Sequence, residues 1–148
     1  EKAAKHNYTN GMNKVAALYL DLATLENKEE NFKKSFSWYE QLANVGGSDG
    51  EFGLGKAYLK GLGTKQDDFK ASYWFKKAAS QGHLSAQHEL ALMYFDGKGI
   101  EQDIDKALSL LIESAEQGNL GSEYALGYIY TYGDNGVEKD LKQAFAWY

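Results

Sequence analysis

Matching residues return at intervals of 36 along this chain. Trp38, Trp74 and Leu110 are spaced this way, as are Gly46, Gly82 and Gly118, then Gly61, Gly97 and Gly133, and Tyr58, Tyr94 and Tyr130. A period of that length marks small supersecondary units that cannot bury their apolar faces alone and do so by stacking on neighbours. It argues for a solenoid of such units rather than a globule organised around one catalytic centre. The role it suggests is binding by architecture, and it does not name the partner.

Alignment on the period gives four units, approximately 12–47, 48–83, 84–119 and 120–148. The third is the clearest. Ala86, Leu90, Ala91 and Tyr94 form one helical face, and Ala107, Leu108, Leu111, Ile112 and Ala115 form a second, with the loop DGKG between them. Gly61, Gly97 and Gly133 each follow the first helix where a left-handed residue ends it most readily. Asn31, Asp67, Asp103 and Asp140 each precede a helical run and are predicted N-caps, Asp103 among them as a cap and not a metal ligand. The last spacing is 37 because Asp134 or Asn135 is inserted in the loop YGDNG. Ala71, Ala107 and Ala144, with Ala43, Ala79 and Ala115, mark close helix contact. Trp38, Trp74 and Trp147 and the repeating tyrosines mark the bulky side of that contact, so Trp74 is predicted to pack between helices. The first unit is degraded. Leu25 and Asn27 stand where its loop glycines belong, and Asn tolerates the left-handed region. Residues 1–11 read as the end of an earlier helix (KAAKH) and its turn (NYTNG), and the chain as part of a longer protein.

These registers resemble the Sel-1-like repeat (SLR) family, a relative of the tetratricopeptide solenoids. The second unit carries Leu54, Gly55, Tyr58, Gly61, Gly63, Asp67, Lys70, Ala71, Trp74, Ala78, Ala79, Gln81 and Gly82 in the family order. The third and fourth repeat most of them, with Ala91 for the first-helix glycine, Leu110 for the second-helix aromatic and Gln143 for the lysine. The resemblance implies an all-α, right-handed α/α solenoid of antiparallel helix pairs, with seven or eight main helices. It also implies a scaffold or adaptor. Cysteine-rich bacterial members carry a disulfide in each repeat; this chain has no cysteine.

Composition narrows the chemistry. Acidic residues number 21 against 16 basic ones, and no basic block exceeds two residues, so a nucleic-acid partner is not expected. Without cysteine there are no disulfides and no thiolate chemistry. No stretch approaches 18 apolar residues, so no segment of this chain is expected to span a bilayer. Periplasmic, secreted and cytoplasmic settings all stay open. His83 and His88 are five apart, not the i, i+4 pair of zinc enzymes, and the Glu101, Asp103, Asp105 run lacks the glycine and glutamate of a calcium loop. The Asn7-Tyr8-Thr9 triplet fits a glycosylation acceptor, a pattern common by chance. No nucleophile elbow or phosphate loop is present, so no cofactor, no metal and no enzyme activity are expected.

By the tetratricopeptide resemblance, the first helix of each pair lines a concave groove. Opposite its Leu and Tyr core registers fall Phe52, Lys56 and Leu59 (with Lys60), then His88, Leu92 and Phe95 (with Asp96), then Tyr124, Tyr128 and Tyr132 (with Thr131). A solvated face would be Lys, Glu, Gln and Ser. Aromatics there suggest contact with a protein or peptide, the alternative being lateral packing between units. A self-assembling structural module and a cell-wall-related enzyme or peptidoglycan-binding protein are the competing readings, and self-association is left open.

Overall fold

The computed structural model describes residues 2–23 and 27–148. Among these there are eight helices: α1 (Lys2–Leu22), α2 (Lys28–Asn44), α3 (Ser48–Lys60), α4 (Asp68–Ser80), α5 (Leu84–Asp96), α6 (Ile104–Glu116), α7 (Leu120–Tyr132) and α8 (Leu141–Trp147). No strand is present among the described residues beyond an isolated bridge between Asp134 and Val137. The helices divide into two compact units. One holds α1–α4 and ends at His83; the other, Leu84–Tyr148, holds α5–α8. Within each, helices adjacent in sequence pack on each other, and their short connections make such neighbours antiparallel.

One loop design recurs in three pairs. The helix ends at a left-handed glycine, Gly61 (φ 68°), Gly97 (φ 67°) or Gly133 (φ 69°). The chain then returns, and the N–H of the capping aspartate donates to the carbonyl of the repeating tyrosine: Asp67 to Tyr58 at 2.9 Å, Asp103 to Tyr94 at 3.0 Å, Asp140 to Tyr130 at 2.8 Å. The same aspartates cap the next helix, accepting from the amides of Lys70, Lys106 and Gln143. The Lys70 and Lys106 ammoniums lie over the Tyr58 and Tyr94 rings. Tyr, Asp and Lys thus recur together because one loop uses all three. The inserted Asn135 takes a left-handed φ of 47°, and its side-chain amide donates to the Phe95 carbonyl at 3.1 Å, which anchors the longer loop to α5. Second helices end alike: Gly46, Gly82 and Gly118 are left-handed, and the residue after each donates five positions back, as in Gly47 to Leu42 and Asn119 to Ser114.

The core follows the small and apolar registers. Leu54, Ala71, Phe75 and Ala78 are buried in the first unit, and Leu90, Ala107, Leu111 and Leu126 in the second. Three expectations need correction. Trp38, Trp74 and Trp147 are only half-buried; the deep positions fall one residue later, at Phe75 (0% exposed) and Leu111 (0%). Trp74 instead packs edge-on against Tyr73 and carries the Lys77 ammonium 4.8 Å over its ring. Asn31 is not a cap, because α2 begins at Lys28 and the Asn31 amide donates to Asn27 within the first turn. Residues 7–11 form no turn, since α1 runs unbroken through Gly11, which has open space around it. A mid-helix glycine costs only about 1 kcal/mol against alanine. One cap went unread in the sequence: Asn119 caps α7, accepting from the Ser122 amide. Asn27 does adopt the left-handed conformation, with φ 45° and ψ 47°; Leu25 lies outside the described residues.

The α6 cap makes a pH prediction. The Lys106 ammonium and amide hold the Asp103 carboxyl below the usual carboxylate range. A lowered folded pKa means the cap's stabilisation is fully present above the unfolded value of about 3.9 and is lost as pH falls through the lower folded value. The Lys106 amide resonance is therefore expected to titrate below the ordinary aspartate range. In Asp103→Asn, which keeps an acceptor but no acid, it is expected to stay flat.

Candidate functional site

The predicted contact residues are described unit by unit. In the first, α3 carries Phe52, Lys56 and Leu59, all half-buried. Phe52 stacks on His83 with ring centres 4.5 Å apart and touches Phe75 at 5.8 Å. The Lys56 ammonium lies 5.6 Å over the same Phe52 ring. His83 reaches back to α3, its Nε2 3.3 Å from an Asp49 carboxylate oxygen, while the Asn13 amide donates to the other at 2.9 Å.

Beside this face lies a cavity of about 280 Å³ among α1, α2 and α3. Phe32, Phe36, Tyr39 and Phe52 form its aromatic walls. At its margin Gly53 lets α3 come close to α2. A Cβ on Gly53 would run into the Tyr39 ring, so that ring lies flat against the α3 backbone. Burial pushes the Tyr39 phenol pKa up, partly offset by its hydrogen bond with Ser35.

In the second unit the predicted residues separate. Phe95 is only 5% exposed, so its ring is not available to a partner as expected from sequence. It is the last apolar residue of α5, and its carbonyl accepts from Gln102 and Asn135, which close loops over it. His88 and Leu92 are half-buried. His88 Nδ1 meets the Ser122 hydroxyl at 3.1 Å, and burial lowers the His88 pKa against the opposing pull of Glu89. Tyr124, Tyr128 and Tyr132 are 64%, 47% and 66% exposed. At i, i+4 and i+8 they stand on one face of α7. Tyr128 and Tyr132 lie 4.8 Å apart, and Tyr124 meets Tyr148 at 6.1 Å.

Sequence reading missed one polar register. Glu51 is buried, with its carboxylate oxygens bonded to the Gln81 amide at 2.6 Å and 3.4 Å from the Lys77 ammonium. Gln87, 36 residues on, is also buried and donates to Glu113 at 3.0 Å. Glu123 follows at the same spacing, so the period itself would have found the position. The half-buried Lys77 thus carries the charge that faces the buried Glu51. Among the described residues, no group of three His, Asp or Glu side chains could share a metal ion, and no helix is long and apolar enough to cross a membrane.

Comparison with known proteins places this geometry. The Sel1 repeat model matches residues 9–46, 48–83, 84–119 and 121–148. A Sel1 repeat protein from Oxalobacter formigenes superposes with a TM-score of 0.81 at 28% identity, over 94% of this chain and 55% of that one. A protective antigen of uropathogenic Escherichia coli strains, described as displaying an SLR fold, gives 0.81 at 29% identity, over 99% of this chain and 30% of that one. Helicobacter pylori cysteine rich protein B gives 0.62 at 21% identity, over 82% of this chain and 90% of that one, a likeness of fold alone. This chain therefore spans about half and about a third of the first two structures. Among curated proteins none matches significantly. The fold is the all-α helical-repeat class of the solenoids.

Proposed function

Because the chain belongs to the Sel1 repeat family, whose members are generally protein-interaction modules and typically non-catalytic scaffolds, we propose that it binds a protein or peptide through the open faces of its first helices. These are the α7 tyrosine face in the second unit and the Phe52, Lys56 and Leu59 face of α3 in the first. The observation that carries this reading is the α7 face, where Tyr124, Tyr128 and Tyr132 present three rings to solvent in one row. Tyrosine gives large contact area for two frozen torsions, and a few such residues dominate most interfaces. His88 and Leu92 on α5 are half-buried contributors, whereas Phe95 is buried.

Tyr128→Ala tests this. Because Tyr128 is half exposed, its loss is expected to leave the fold intact. Affinity for a captured protein partner, read by calorimetry, is expected to fall about 30-fold or more, the size of a 2 kcal/mol hot spot. Lys76→Ala, on the exposed side of α4, is expected to change nothing. Unchanged affinity in Tyr128→Ala would refute this site.

A further inference from the structure

The first-unit cavity has features that packing alone does not explain. It opens partly to solvent, as a binding pocket does. At about 280 Å³, it is nearly twice the roughly 150 Å³ of an engineered cavity that takes up benzene. Its walls are aromatic, yet polar groups converge on it, which is the make-up of a ligand pocket rather than of a packing fault. The sign of the free charge is legible. Asp49 already accepts from Asn13 at 2.9 Å and lies 3.3 Å from His83, so both of its oxygens are engaged within the protein. Lys56 is different. Its ammonium sits 5.6 Å over the Phe52 ring and has no carboxylate within 4 Å among the described residues. The pocket therefore offers an apolar space lined by four rings, with an acid whose oxygens are already engaged and a lysine that has no carboxylate partner.

Resting on the interaction-module reading, we propose that this cavity is a side-chain pocket for an aromatic residue of a peptide partner, with an adjacent carboxylate of that peptide meeting Lys56. The ring enters between Tyr39 and Phe52. There it displaces water that apolar walls hold poorly, which favours binding. The neighbouring Glu or Asp side chain stays at the half-exposed Lys56, where the charge pair orients the segment more than it tightens it. An amine beside the ring would face the same ammonium and be disfavoured.

The probes are acetyl-Gly-Trp-Glu-Gly-amide, its Gln counterpart, and free indole-3-acetate, each titrated into the whole chain and followed by NMR. The expected result is shifts at Phe36, Tyr39 and Phe52, with the Glu peptide binding at least about threefold tighter than the Gln peptide, the size a half-exposed charge pair provides. Lys56→Met is expected to abolish that preference while both peptides still bind, and Lys56→Arg to retain it. Equal affinities, tighter binding of the Gln peptide, or no shifts at those rings would overturn the proposal. Indole-3-acetate binding more tightly than the peptides would overturn the peptide assignment in favour of a small aromatic acid. Shifts confined to Tyr124, Tyr128 and Tyr132 would refute the pocket and leave the α7 surface standing. Loss of the Tyr128 effect alongside a responsive pocket would do the reverse.

Discussion

Phe75→Ala is expected to destabilise the first unit by about 3–5 kcal/mol, the cost of removing a fully buried phenylalanine. Phe75 is 0% exposed, lies against the Gly55 backbone and touches Phe52 at 5.8 Å. Collapse into the space it leaves is limited, because the atoms around it are helix backbone and another ring. Against a total stability of about 5–15 kcal/mol for an ordinary domain, much of the first unit would unfold. Trp74→Ala is the informative partner. Its ring is half-buried, with the Lys77 ammonium over its face, so its loss is expected to cost less than half as much. Urea unfolding followed by circular dichroism separates the two. Equal losses, or a larger one at Trp74, would return the core register to the tryptophan position.

The second large effect concerns glycine. A Cβ on Gly50 would sit 2.5 Å from the Ala43 backbone nitrogen and 2.8 Å from the Leu42 carbonyl carbon. Gly50→Ala therefore pushes backbone against backbone where α2 and α3 cross, and it is expected to cost about 3 kcal/mol, the upper part of the overpacking range. Gly55→Ala meets a side chain instead, with the Phe75 ring 2.5 Å away. Its cost is expected to be smaller, and largely removed when Phe75→Leu is added. The chain already contains that combination, since Ala91 and Leu111 occupy the equivalent positions one repeat on. Gly127, again a glycine, has the Tyr148 ring beside it at 2.8 Å. Melting curves of the two single variants and the double form the cycle. An additive double variant would mean that ring and glycine are not matched in size.

Those two sites show why some of the fold was legible and some was not. The loops were readable because each needs a residue type with one conformational property. Left-handed glycine and capping aspartate recur at Gly61 and Asp67, Gly97 and Asp103, Gly133 and Asp140. The buried alanines were readable for a similar reason, as only a small side chain lets helices approach. Which of two adjacent aromatics, Trp74 or Phe75, points inward was not readable. It depends on helix rotation by 100°, and both residues are large and apolar. Asn31 misled because it keeps the 36-residue register while α2 begins a turn earlier, at Lys28. The contact face was readable only in part. The α7 tyrosines stay exposed, but Phe95 near the C-terminal end of α5 is closed over by its own loop and by the inserted Asn135. The cavity was not legible because Phe32, Phe36 and Tyr39 share one face of α2 at helical spacing, which reads as ordinary core, and the space beside them depends on how α1 and α3 pack there.

The interaction surface is tested most directly by photo-crosslinking from single positions in the second unit. A photoreactive residue is placed in turn at Tyr124, Tyr128 and Tyr132 on α7, at Thr131 beside them, and at Ser109 and Glu116 on the exposed side of α6. Crosslinking to one protein partner is predicted to peak at Tyr124, Tyr128 and Tyr132 with the four-residue interval of a single helix face, and to fall to background at Ser109 and Glu116. Equal crosslinking from all positions, or a maximum on α6, would contradict binding through the first-helix face.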